Sequence, residues 1–146
     1  MTRNSSQTAS EDILALPMVQ ALLHELLDKL GALQRDGRSD SVDLRRLPLP
    51  PGALDALRAW LGAGEIRATV KALGVTTVEE TAITGLWWVS QAKLTGEPTG
   101  AWIEVSLCPA LLMAHAEDLG AAIERLRGRL PDPGTGSRPD PSADAR

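Results

Sequence analysis

A chain of 146 residues with polar ends has the size of one domain, and its formal net charge of −4, without a dense run of Lys or Arg, argues against a nucleic-acid partner. Its one cysteine excludes an internal disulfide. With the two histidines far apart, it leaves no ligand set for zinc or an iron–sulfur cluster, so neither a metal nor another cofactor is expected. No apolar run is long enough to span a membrane, and the first residues lack the apolar core of a signal peptide. The expectation is a cytoplasmic protein with no membrane insertion. Four tryptophans carry all the aromaticity, because there is no Phe or Tyr. The core must therefore be Leu, Val, Ile and Ala, with Trp as the large filler.

In chain order, residues 1–10 are Ser/Thr/Asn-rich and expected to be disordered, with a single domain over 11–130. Residues 13–16 form a short apolar lead-in. Pro17 suits a first helical position, and Val19, Leu22, Leu23, Leu26, Leu30 and Leu33 recur at helical spacing. Gly37 is the expected stop. Residues 41–49 read as a short edge strand ended by Pro48, Pro50 and Pro51, which cannot continue a ladder. A short helix follows, with Leu54, Leu57, Trp60 and Leu61 inward, and Gly62 and Gly64 end it.

The stretch 64–109 reads as three strands. Ile66, Ala68, Val70 and Ala72 alternate with Glu65, Arg67, Thr69 and Lys71, as a strand with one buried face does. Near the end of the stretch Ala101, Ile103, Val105 and Leu107 alternate with Trp102, Glu104 and Ser106. Between them residues 78–93 are rich in β-branched and aromatic types, and their alternation breaks at Gly85, which suggests a bulge or bend. The turn at 94–100, with two glycines and a proline, suggests a hairpin. After Pro109, Leu112, Leu119, Ile123, Leu126 and Leu130 make a helical stripe, broken near His115 and restarted with Glu117 and Asp118 at a helix N-terminus. Residues 131–146, rich in Pro, Gly, Asp and Ser, are expected to be a disordered tail. The order α-β-α-β-β-β-α predicts an α+β two-layer sandwich: an antiparallel sheet of three to four strands with helices on one face.

No sequence motif for phosphate, dinucleotide or metal-dependent hydrolysis occurs. Glu79, Glu80 and Glu104 are the carboxylates nearest the centre. General acid–base work needs such groups to converge, and neighbours on a strand such as Glu79 and Glu80 point opposite ways. Cys108, the single thiol, precedes a helix start at Pro109, but no base can be placed beside it. These residues would serve a small enzyme only in an unfamiliar arrangement. Trp87 and Trp88 are the stronger feature. In a regular strand one ring is buried and the other exposed, and Trp102 adds a second exposed ring, rimmed by Glu104, Gln91 and Arg67; such a patch suits a protein interface. The alternative is that a helix covers that face too and the rings fill the core.

The motifs G-E-I-x-A-x-V from Gly64, E-E-T-x-I-x-G-L-W-W-V from Glu79 and I-E-V-x-x-x-P from Ile103, with Pro109–Leu112 and Glu117–Leu119, resemble the conserved domain of the hydrogenase expression/formation proteins of the HupH/HyaF/HoxQ type. The resemblance covers about residues 42–130. It implies a non-catalytic accessory factor in nickel–iron hydrogenase maturation, a chaperone-like binder of the iron–sulfur small subunit precursor before that subunit joins the large one. Family members are commonly about twice this length, so homodimerisation or pairing with a longer relative is also implied as an option. On this reading Trp87, Trp88 and Trp102 supply apolar contact area, and Glu80 and Glu104 supply polar specificity. Gly85 bends the strand to display the rings, and Trp88→Ala weakens partner capture with the fold intact. The rival without hydrogenase is a general assembly module, self-associating through a sheet edge or the tryptophan face.

Overall fold

The computed structural model describes residues 5–134. They divide into two compact units, one through Leu112 and one from Met113. The start of the chain departs from expectation: residues 5–10 are not irregular but belong to a helix, α1 (Ser5–Leu14). The expected tail lies outside the described residues from 135 onward.

In the first unit α2 (Pro17–Asp36) begins on Pro17 and buries Val19, Leu22, Leu26 and Leu33, the stripe read from the sequence. Gly37 ends it in the left-handed conformation, donating its N–H to the Leu33 carbonyl. Strand β1 (Asp40–Asp43) follows, and the Asp43 carboxylate then accepts the Arg45 N–H to start a 3-10 turn over Leu44–Arg46. Helix α3 (Ala53–Leu61) buries Ala53, Ala56, Leu57 and Leu61. Trp60 does not point inward as expected but is 54% exposed.

The sheet has five strands, all antiparallel, in the order β1-β5-β4-β3-β2. The four further strands are β2 (Arg67–Lys71), β3 (Val75–Glu80), β4 (Leu86–Ala92) and β5 (Pro98–Val105). The α+β fold is as read, but one strand more is present, because the middle stretch is two strands and not one bent strand. Gly85, at φ 89°, closes the hairpin between β3 and β4. Thr81 holds that turn: its N–H and its hydroxyl both donate to the Leu86 carbonyl, and the hydroxyl accepts the Ile83 N–H. Three positions expected inward on the strands also fail. Ala72, just past the end of β2, is exposed. Ile66 is 48% exposed, and Leu107, beyond the end of β5, is 80% exposed.

The register fixes two faces. On one, Val42, Leu86, Trp88, Ile103 and Val105 pack with Leu22, Leu26, Leu33, Leu44, Leu57 and Leu61 from the helical layer. On the other, Val78, Trp87 and Val89 form a smaller cluster with the half-buried Trp102 and Leu112. At the outer edge, Lys29 of α2 donates to Asp40 at 2.5 Å. That bond holds the Asp40 carboxyl below its ordinary range, with help from the Ser41 N–H, and raises the Lys29 ammonium. The carboxylate's contribution is present above its unfolded value and is lost as pH falls through the depressed one. The ammonium's contribution is lost only as pH rises through its raised value, so the pair contributes steadily around neutrality. Asp40→Asn is expected to lower stability by at most about 1 kcal/mol at neutral pH, since the carboxylate is half exposed, and to change nothing in strong acid. Urea unfolding of both proteins at the two pH values measures the difference.

The second unit holds α4 (Asp118–Arg127), with Asp118 in its first turn and Arg125 and Arg127 in its last, the order the helix dipole favours. None of its residues is buried. The stripe read from the sequence is present, but Leu119, Ile123 and Leu126 are all more than half exposed.

Candidate functional site

A cleft of about 540 Å³ opens on the helical face, between α3, the loop at 62–66 and the paired ends of β2 and β3. Trp88 forms its floor. The Arg58 guanidinium, from α3, lies 5.6 Å above the Trp88 ring and pairs with the Glu79 carboxylate. Glu79 also receives Arg67 at 3.0 Å, because Arg67 and Glu79 are directly opposed across β2 and β3, and Glu79 in turn faces Trp88 across β3 and β4. One carboxylate is thus clamped between two guanidinium groups, one of them stacked on an indole. On the far side of Arg58 a second hollow of about 320 Å³ continues along the same face, over Trp88, Thr77, Val75 and Ala101.

The cleft's back wall is close packed. Glu80 accepts the Glu65 N–H at 3.0 Å, and the Glu80 carbonyl accepts the Gly64 N–H at 2.8 Å. A Cβ on Gly64 would meet Glu80 Oε2 at 2.5 Å and the Thr81 carbonyl at 2.8 Å. Glycine is required here by close approach, not by its dihedral angles.

The opposite face is closed by the chain itself. After β5 the segment 106–112 folds back as a strap, with Pro109 buried and Leu112 packed on the Val78, Trp87, Val89 cluster. Two side chains fasten it. Trp87 donates its indole N–H to the Ser106 carbonyl at 3.0 Å. Glu104 accepts the Ser106 hydroxyl at 3.2 Å and the Ala110 N–H at 3.1 Å.

This geometry corrects the expected tryptophan patch. Trp87 and Trp88 do lie on opposite faces, but both are 5% exposed, because helices cover one face and the strap covers the other. Neither ring is displayed, and Gly85 serves a turn. Trp102 is half-buried and Glu104 is committed to the strap. Glu80 holds the loop at Glu65. Arg67, expected to rim the patch beside Glu104 and Gln91, is on the other side of the sheet: it shares a face with Glu79 and Trp88, whereas Gln91 and Glu104 share one with Trp87. For the same reason Glu79 and Glu104 do not converge. Cys108 is exposed, its Sγ 3.8 Å from the Pro109 carbonyl. Among the described residues no group of three or more His, Cys, Asp or Glu could hold a metal ion, and no helix is long and apolar enough to cross a membrane.

Arg58 is the residue that sequence reasoning missed. Periodicity placed it next to the inward Leu57, but only the β3–β4 register, which a hidden turn sets, brings Trp88 and Glu79 beneath it.

An α+β domain with helices on one sheet face, a clamped carboxylate and a self-closed second face is the class this geometry defines. The chain matches, over residues 17–131, the family model described as HupH hydrogenase expression protein, C-terminal conserved region. It belongs to that family. It is 35% identical over 100 residues to "Hydrogenase expression/formation protein HoxQ" of Azotobacter vinelandii, across 68% of this chain and 35% of the relative. It is 36% identical over 118 residues to "Hydrogenase expression/formation protein HupQ" of Azotobacter chroococcum mcd 1, across 80% of this chain and 40% of the relative. The chain therefore spans well under half the length of either curated relative. Among solved structures it is similar to "Hydrogenase expression protein HupH from Thiobacillus denitrificans ATCC 25259", with a TM-score of 0.72 and 38% identity, covering 75% of this chain and 92% of that one.

Proposed function

We propose that the chain acts without catalysis in hydrogenase maturation, holding the small-subunit precursor of a nickel–iron hydrogenase in the cytoplasm until it joins the large subunit. Membership of the HupH family and the names of the relatives support a role in hydrogenase expression or formation. The observation that carries the non-catalytic half is the state of Glu79 and Glu80, the two carboxylates at the β3 end of the cleft. Glu79 is clamped by Arg58 and Arg67, and Glu80 is engaged by a backbone amide. A general acid or base needs a lone pair or proton aimed at substrate, and Glu79 and Glu80 spend theirs on two guanidinium groups and a backbone amide. What remains is an open groove with charged walls, with the Arg58 guanidinium lying over the buried Trp88 ring at its base. Arginine is a residue type enriched at protein-binding hot spots.

The client seat in this reading is the cleft and its continuation past Arg58, not the tryptophan patch. Co-expression of the tagged chain with the small-subunit precursor, with and without the large subunit, tests it. The precursor is expected to co-purify when the large subunit is absent and to be released when it is supplied. A precursor that never co-purifies, or one retained equally in both cases, contradicts a holding role.

A further inference from the structure

Strand β2 ends the sheet. The Ile66 carbonyl accepts the Glu80 N–H, and the Ala72 N–H donates to the Gly74 carbonyl, so even-numbered residues spend their backbone groups on the β3 side. In an antiparallel ladder the intervening residues then direct theirs outward. The backbone groups of Arg67, Thr69 and Lys71 therefore line a free edge, with those three side chains exposed and Ala68 and Val70 half-buried on the other face. Natural edges are often guarded by lysine, by proline or by shortness. This one is guarded by charge alone, and that charge selects its partner.

A second copy fits poorly. The register that pairs all of β2 with itself is centred on Thr69 and sets Arg67 of each copy against Lys71 of the other, a like-charge contact made twice. Joining β2 of one copy to β1 of another leaves the contact head to tail, with the Asp40 carboxylate already engaged by Lys29.

We infer that the β2 edge takes an extended acidic segment of another protein as a sixth strand, antiparallel to β2. Its pattern is acid, apolar, polar, apolar, acid. The two acids meet Lys71 and Arg67, which lie four residues apart on one face, and the apolar residues meet Val70 and Ala68 on the other. Lys71 has no ion pair among the described residues, and Arg67 has only the one with Glu79. Backbone pairing supplies the affinity and the alternating side chains the selectivity. Ile66 and Arg67 also line the cleft, so the end of the added strand opposite Arg67 lies at the cleft mouth. This holds whichever protein supplies the segment and does not depend on a hydrogenase client.

The test is a titration of the full chain, followed by amide NMR and hydrogen exchange, with an acetylated, amidated peptide built around Glu-Val-Thr-Val-Glu and with its Lys-Val-Thr-Val-Lys counterpart. The acidic peptide is expected to protect the Arg67, Thr69 and Lys71 amides and to bind about tenfold or more tighter than the basic one, because two attractive pairs replace two repulsive ones. Thr69→Pro removes an outward N–H without touching the ladder to β3, and is expected to abolish binding. Lys71→Glu is expected to narrow or reverse the preference between the peptides, which keeps the inference testable if the proline variant does not fold. Equal binding of both peptides, protection elsewhere than β2, or no protection at millimolar peptide overturns it. So does self-association through β2 that excludes the acidic peptide.

Discussion

Trp88→Ala is expected to cost the first unit about 3–5 kcal/mol of unfolding free energy. The ring is 5% exposed and sits in the main core beside Leu57, Leu61, Leu86 and Ile103, so its removal takes away a large apolar surface and leaves a cavity under α3. Folded domains keep only about 5–15 kcal/mol in reserve, so the variant loses a large share of its margin. It also deprives Arg58 of its seat. Any loss of binding in this variant therefore reports unfolding and cannot assign the ring to an interface. Urea unfolding followed by circular dichroism measures the effect, and a loss below about 1 kcal/mol would contradict the packing described.

Trp87 tests the other face. Trp87→Ala is expected to cost about 3–5 kcal/mol, because the indole fills the cluster under the strap. Trp87→Phe keeps most of the ring but leaves the Ser106 carbonyl without the indole N–H, at about 1–2 kcal/mol. The two variants separate packing from fastening. In Trp87→Phe hydrogen exchange at the Ala110 amide should quicken more than exchange at Ile103, since Glu104 is then the one side chain of the two still fastening the strap. Equal exchange rates in the variant and the parent would show that the strap is not fastened through Trp87.

The sequence carried the layer arrangement because apolar spacing reports it directly. The Val19–Leu33 stripe, the Gly37 stop and the alternation about Ile103 each arise from one element folding by itself. What failed needed information shared between elements. The β3–β4 turn contains no Asn, Asp or Pro; its Thr81 hydroxyl does the work such residues usually do, inside a run that looks like strand. Without that turn the register of Trp87 and Trp88 could not be set. The strap was equally hidden, because its side-chain anchors are one bond to Trp87 and two to Glu104 from a segment that has no periodicity. Each tryptophan's face was legible; what covers the face was not. The E-E-T-x-I-x-G-L-W-W-V motif thus marks a family through its turn and its two buried rings. Its conspicuous residues build the scaffold, and Arg58, outside the motif, completes the cleft.

If the cleft seats the client, Arg58→Ala is the variant that shows it most directly. Arg58 is half exposed, so its loss should change stability by no more than about 1 kcal/mol and leaves Glu79 paired with Arg67. The measurement is a calorimetric titration of the purified small-subunit precursor into the parent chain and into Arg58→Ala. The predicted result is binding to the parent and about tenfold weaker binding to the variant, with a melting temperature lowered by no more than about 5 °C, in line with an interface arginine worth more than about 1 kcal/mol. Equal affinity for the two proteins, or no binding to the parent, would contradict it.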